Sequence, residues 1–236
     1  ACLLAVALTA CAGGGEPPAP SGSPASAPLE ALKEPANSMS VSPPLSPAPV
    51  SAEALAAYRA LLAGEPGALD RPPEGLELHQ VTLPPAEELE YVLLDLDGDG
   101  GAELVVQMVA QPHQFNAVFH YGDGELSCWQ YDIMEMSCRD YPLGDGAMVR
   151  QYDTGTGPNR YSNLYTVFRY LPDGETEECA SLAVHQDTQE DGTEVFTYLV
   201  DDAEVDQDTF AAEFEELVGS RLLSLEDWTP ATERPG

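Results

Sequence analysis

Positive charge is scarce in this sequence. One lysine, Lys33, and nine basic residues in all stand against 41 acidic ones, a formal net charge of −32 over 236 residues. A phosphate-backbone binder needs a basic footprint, so nucleic acid is excluded as a partner. The same deficit argues against an anionic membrane surface or a polyanionic substrate. Catalytic signatures are missing as well. There is no C-x-x-C for redox chemistry or a zinc knuckle, no H-E-x-x-H, no G-x-S-x-G, no S-x-x-K and no P-loop. His79, His113, His120 and His185 are scattered without helical pairing, which leaves a catalytic zinc unsupported. A hydrophobic fraction of 43% is still enough to build a core.

The chain opens on ten apolar, uncharged residues, ACLLAVALTA. Ten are too few to span a bilayer, which takes about twenty, but they fit the apolar region of a signal peptide. They run into Leu8-Thr9-Ala10-Cys11 and then Ala12-Gly13-Gly14-Gly15. This stretch resembles the lipobox of bacterial lipoproteins. The resemblance implies that residues 1–10 are a signal-peptide remnant and that Cys11, freed by cleavage, carries a diacylglyceryl group and acyl chains such as palmitate. Two or more chains hold a protein stably on a membrane. The expected location is therefore extracytoplasmic, with the chain anchored to the bacterial cell membrane by the lipid on Cys11. Residues 11–50 are rich in Pro, Ala and Ser and lack aromatics, as a semi-extended, disordered tether would be.

Composition shifts at Ser51, and 51–236 reads as a single α+β domain. Ser51 is an N-cap for a helix in which Leu55, Tyr58 and Leu62 share a face and Gly64 marks the stop. Apolar, β-branched runs then predict strands over 91–94, 104–109, 116–121, 125–131, 147–152, 161–170, 178–185 and 194–200. Gly122-Asp123-Gly124 between two of them is a hairpin signal. Asp206 caps a last helix with Phe210, Phe214 and Leu217 on one side. The expected architecture is a curved antiparallel meander with a helix near each end of the domain.

The most informative segment is Asp95-Leu96-Asp97-Gly98-Asp99-Gly100-Gly101-Ala102-Glu103. Carboxylates at positions one, three and five of a tight loop converge on one point, as a calcium ion requires of its oxygen ligands. Gly100 permits the turn. The carbonyl of Gly101 can add an oxygen, and Glu103 closes the set. The position-twelve acid of an EF-hand falls on Val106, and the flanks read as strands. The segment instead resembles the strand–loop–strand calcium loops of FG-GAP and VCBS repeats, D-x-D-G-D-G-x-x-D/E-L. With the Tyr58 helix, the meander and the terminal helix, the whole looks like a group of uncharacterised bacterial surface lipoproteins. The implied cofactor is a structural calcium ion on Asp95, Asp97, Asp99, Gly101 and Glu103.

With Cys2 lost in the leader and Cys11 acylated, Cys128, Cys138 and Cys179 remain, an odd number in an oxidising compartment. Cys128 and Cys138 can close a small disulfide loop; pairing with Cys179 is equally allowed. Asp153-Thr154-Gly155 matches an aspartic-protease triplet but lacks its apolar strand context, and Pro158-Asn159 makes it part of a turn. Tyrosines such as Tyr161, Tyr165 and Tyr170 read as core and cross-strand packing, with an exposed glycan or peptide platform as the weaker reading. The sequence thus favours a non-enzymatic, membrane-anchored lipoprotein in binding or envelope organisation, with an envelope protein or glycan as partner. The alternative is a hydrolase of cell-wall or nutrient polymers working through an acidic pair.

Overall fold

The structure, a computed structural model, describes residues 48–131, 138–157, 159–233 and 235. The leader, Cys11 and nearly all of the tether lie outside the described residues. Helix α1 (Ala52–Leu62) begins where Ser51 Oγ accepts the Ala54 N–H at 3.0 Å. Its buried face is Ala54, Tyr58, Leu61 and Leu62. That stripe is turned slightly from the expected one, because Leu55 is only half-buried.

Eleven strands follow. β1 (Leu89–Leu94), β2 (Glu103–Met108), β3 (Gln111–Gly122) and β4 (Glu125–Tyr131) form consecutive antiparallel hairpins. The β3–β4 turn has Asp123 and Gly124 at φ +54° and +83°, the backbone of a two-residue hairpin loop, as the Gly-Asp-Gly run predicts. A second set comprises β5 (Cys138–Pro142), β6 (Met148–Gly157), β7 (Arg160–Tyr170), β8 (Thr176–Thr188), β9 (Glu194–Val200) and β10 (Ala203–Val205). Helix α2 (Gln207–Leu217), capped by Asp206 Oδ1 on the Thr209 N–H, leads to β11 (Thr229–Pro230).

The domain is α+β and dominated by antiparallel strands. The meander divides into a five-stranded sheet, β11-β1-β2-β3-β4, and a six-stranded one, β10-β9-β8-β7-β6-β5. The chain passes from one to the other after β4. β11 returns to the first sheet by pairing Tyr91 with Thr229. Asp153-Thr154-Gly155 lies inside β6, with Asp153 opposite Asn163, so the turn expected there begins only beyond Gly157.

The pattern of burial explains the layering. β2 is buried on both faces, Leu104, Val105 and Val106 each having no exposed surface. Leu104 and Val106 pack with Leu89, Ala117, Phe119 and the α1 residues Tyr58 and Leu62. Val105, with Val92, Leu94 and Val118, packs against Met148, Phe168 and Tyr170 of the second sheet. The far face of that sheet receives α2, where Phe214 meets Tyr165 edge-on at 5.1 Å and Phe210 lies 5.3 Å from Tyr198. The order is helix, sheet, sheet, helix. Tyr165 and Tyr170 are 2% and 3% exposed, so they are core residues and the row through Tyr161, Tyr165 and Tyr170 does not present a platform.

Polar groups also join the sheets. Asp140 of β5 is buried and takes Arg150 through two nitrogens, the Nη2 contact being 2.6 Å. Gln130 of β4 donates to the same carboxylate at 2.6 Å and accepts from Tyr170 Oη at 2.6 Å. Asn116 of β3 donates to the Asp140 carbonyl at 2.9 Å. On the opposite flank β9 is only partly covered, since β10 pairs with Tyr198, Leu199 and Val200 alone. Among the described residues no strand lies outside Glu194 to Thr197, and Val195 and Phe196 there are exposed.

The β5–β6 turn is held by Asp145, which accepts from Arg169 at 2.9 Å and from Arg221 at 2.5 Å. Burial raises the Asp145 pKa, but the hydrogen bond and charge of Arg221, aided by the Ala147 N–H and Arg169, outweigh it and hold the carboxyl below its ordinary range. A depressed carboxyl stabilises the fold above its unfolded pKa, and that contribution disappears as pH falls through the folded value. The melting-temperature gap between wild type and Asp145→Asn is therefore expected to be widest near neutral pH and to close below about pH 4, measured by thermal melts across that range.

Candidate metal centre

The acidic segment connects β1 to β2, which pair from Leu89 opposite Met108 to Leu94 opposite Glu103. The hairpin therefore fixes both ends of the loop, and the interior is organised by carboxylates binding backbone amides. Asp95 accepts from the Gly98 N–H at 2.8 Å and the Gly100 N–H at 3.1 Å. Asp97 Oδ1 accepts from Asp99 at 3.0 Å, and Asp99 Oδ1 from Gly101 at 2.5 Å. Gly98 and Gly100 sit at φ +77° and +88°, a region that side chains disfavour. Leu96 is fully buried in the inter-sheet core and pins the loop from below.

One oxygen each of Asp95, Asp97 and Asp99 lie within 4.8 Å of one another, so the three expected aspartates do converge. Asp97 Oδ2 has no exposed surface and no hydrogen-bond partner. Glu103 takes a different position from the one expected. It is 1% exposed, its Oε2 accepts the Leu96 N–H at 2.7 Å, and its Oε1 lies 3.0 Å from His120 Nδ1. It groups with Asp97 and His120, again within 4.8 Å. Gly101 serves the loop through its N–H on Asp99. Sequence reasoning left His120 among the scattered histidines. The register that sets Leu104 opposite Phe119 places His120 beside Glu103, one residue further along, and counting outward from that pairing is the signal that finds it.

The electrostatics follow from burial. Burial raises the Glu103 carboxyl, against hydrogen bonds from His120 and Leu96 that lower it. Burial also raises Asp97, with the charges of Asp99 and Asp95 adding to it against the Asp99 N–H. His120 is pushed down by burial, but the hydrogen bond and charge of Glu103, with Asp97 and Asp99, more than reverse this and hold it above its usual value. The cluster favours positive charge.

Two further elements hold the loop. Tyr58 of α1 donates to the Ala102 carbonyl at 2.8 Å, and burial, reinforced by the Glu103 charge, raises its phenol and keeps it a donor. From the second sheet, the β5–β6 turn presses Gly146 against the carbonyl of Asp95, where a β-carbon would collide with that oxygen.

Other expected features are less productive. No disulfide joins Cys128 to Cys138 in the structure, and Cys128 and Cys179 are free thiols. Cys128 donates to the Gln130 carbonyl at 3.1 Å, and burial pushes its thiol up to about 12, which makes it inert near neutral pH. His185 Nδ1 is 2.7 Å from Ser162 Oγ, and Ser162 has no exposed surface. A cleft of about 620 Å³ lies between residues 71–74, the β3–β4 hairpin and the β7–β8 turn, with His120, Trp129 and the carboxylates of Glu74, Asp123, Asp173 and Glu175 in its lining. No described helix is long and apolar enough to cross a membrane.

Comparison of the chain with protein-family models, with curated proteins and with solved structures finds no match.

Gly146 allows a direct test of how the loop is held. It has φ +85° and no room for a β-carbon, whereas Gly192, at φ +83°, has open space around the same position. Gly192→Ala is expected to cost about 1 kcal/mol of backbone strain. Gly146→Ala adds a collision and is expected to cost about 2–4 kcal/mol. Chemical denaturation of both variants checks the difference.

Proposed function

We propose that this chain is an extracytoplasmic lipoprotein, anchored to a bacterial membrane through acylated Cys11, whose domain carries a structural calcium loop. Its role is binding or envelope organisation rather than catalysis. The observation that carries the calcium reading is the convergence of Asp95, Asp97 and Asp99 within 4.8 Å, with Asp97 Oδ2 buried and unpaired. A buried carboxylate oxygen without a donor is costly, and a cation removes that cost. The proposed oxygen set also takes the Gly101 carbonyl and Glu103, whose Oε1 would turn from His120 to reach the ion. The ion would tie β1 to β2 at the point where α1 and the β5–β6 turn both touch the loop.

The anchor reading rests on Leu8-Thr9-Ala10-Cys11 and the Pro-rich segment behind it. The cleft favours a second reading, a polymer hydrolase using two of its carboxylates.

Calcium is expected to bind the full chain with a Kd of about 10⁻⁴–10⁻³ M and to raise its melting temperature. Asp97→Asn should abolish both effects; calorimetric silence in the wild type removes the reading. Cys11→Ala is expected to move the protein from the membrane pellet to the soluble fraction on cell fractionation. Unchanged membrane association would remove the anchor.

A further inference from the structure

Among the described side chains, His120 is the histidine that the fold carries to the acidic loop. Its Nδ1 lies 3.0 Å from Glu103 Oε1, and one ligand atom each from His120, Glu103 and Asp97 fall within 4.8 Å of one another. The 3.0 Å between imidazole nitrogen and carboxylate oxygen is a hydrogen-bond distance, and it needs to open only to ~3.4 Å for the two to stand as tetrahedral donors about 2.1 Å from an ion.

Three independent features make this a built arrangement. Glu103 is almost wholly buried, and the Leu96 N–H on Oε2 fixes its carboxylate and leaves Oε1 turned to His120. The His120 ring is clamped by Trp129, stacked at 4.3 Å with an interplanar angle of 11°. Orientation of ligands by such outer contacts is the mark of a metal site. Asp97 Oδ2 is shut away from solvent with no donor to meet it. The buried Glu103 carboxylate and the enclosed Oδ2 of the half-buried Asp97 stand against one imidazole, an arrangement that a cation would balance.

We infer that Asp97, Glu103 and His120 form a site for a divalent transition-metal ion of the zinc, cobalt or nickel class. The choice of ion follows from the donors. Calcium takes an all-oxygen shell, whereas imidazole suits borderline metals. The inference goes beyond the calcium reading and stands without it, because Asp95, Asp99 and Gly101 take no part. Asp97 and Glu103 are common to both sets, so a transition metal and calcium would compete for them.

Cobalt(II) is the probe, because ligation by nitrogen and oxygen gives it visible d–d bands that differ from those of a thiolate complex. The full chain in detergent, with its thiols alkylated, is titrated with cobalt(II) chloride alone and then with zinc as competitor. One equivalent should bind with new d–d bands that zinc abolishes. His120→Gln, which keeps an amide donor for Glu103, should weaken cobalt binding at least tenfold. Asp97→Asn should weaken it as well, and it serves as the deciding variant if circular dichroism shows the first to be unfolded. Absence of saturable bands in the wild type, or undiminished cobalt affinity in the folded variant, overturns the inference. A separate calcium titration of the wild type keeps the two readings apart: cobalt bands without calcium heat defeat calcium alone, and calcium heat without cobalt bands defeats this site alone.

Discussion

A carboxylate buried as deeply as that of Glu103 survives only where donors meet it, and the loop is arranged around that requirement. The Leu96 N–H takes one oxygen and the His120 ring faces the other. Since Glu103 opens β2 and Leu96 lies just past the end of β1, this one side chain closes the hairpin across its mouth. The closure sets the Ala102 carbonyl where Tyr58 reaches it and seats Leu96 in the core between the sheets. Charge and packing thus constrain each other. Apolar burial drives Leu96, Leu104 and Val105 inward, and a carboxylate is drawn in beside them.

The layers meet at this hairpin. Helix α1 lies on one face of the first sheet and reaches the loop through Tyr58. The second sheet covers the other face and reaches it through Gly146. The turn bearing Gly146 is steadied in turn by Asp145 on Arg169 and Arg221. Arg221 also donates to the Leu217 carbonyl at the end of α2. The loop is consequently gripped by elements from both ends of the domain, an arrangement suited to an ion that stabilises rather than to a mobile lid.

Much of this is legible in the sequence because it is local. Apolar, β-branched runs mark most of the strands, side-chain caps at Ser51 and Asp206 mark the two described α-helices, and the spacing of Asp95, Asp97 and Asp99 alone brings their oxygens together. The rest is set by distant pairings. The division into two sheets depends on where the meander folds over, and neighbouring strands in sequence carry no mark of it. Short strands such as Cys138–Pro142 and Thr229–Pro230 owe their state to a partner rather than to propensity. Gly146 looks like any turn glycine until Asp95 is seen beside it. Glu103 reads as a ninth-position ligand, yet the β2–β3 register delivers His120 to it and changes its neighbours.

The outer margin of β9 invites association. Backbone amides and carbonyls along Glu194 to Thr197 have no strand outside them among the described residues, and Val195 and Phe196 are exposed to either side. Among the described residues the β8–β9 pairing has no bulge at this rim. Bodies that each carry 38 acidic and 8 basic residues from Ser51 onward repel one another, which opposes such pairing. A guard of that kind is a property of the solvent as much as of the protein. Its reach is about 30 Å in 0.01 M salt and shrinks to about 8 Å at physiological ionic strength, so brine and multivalent counterions disarm it while dilute buffer restores it.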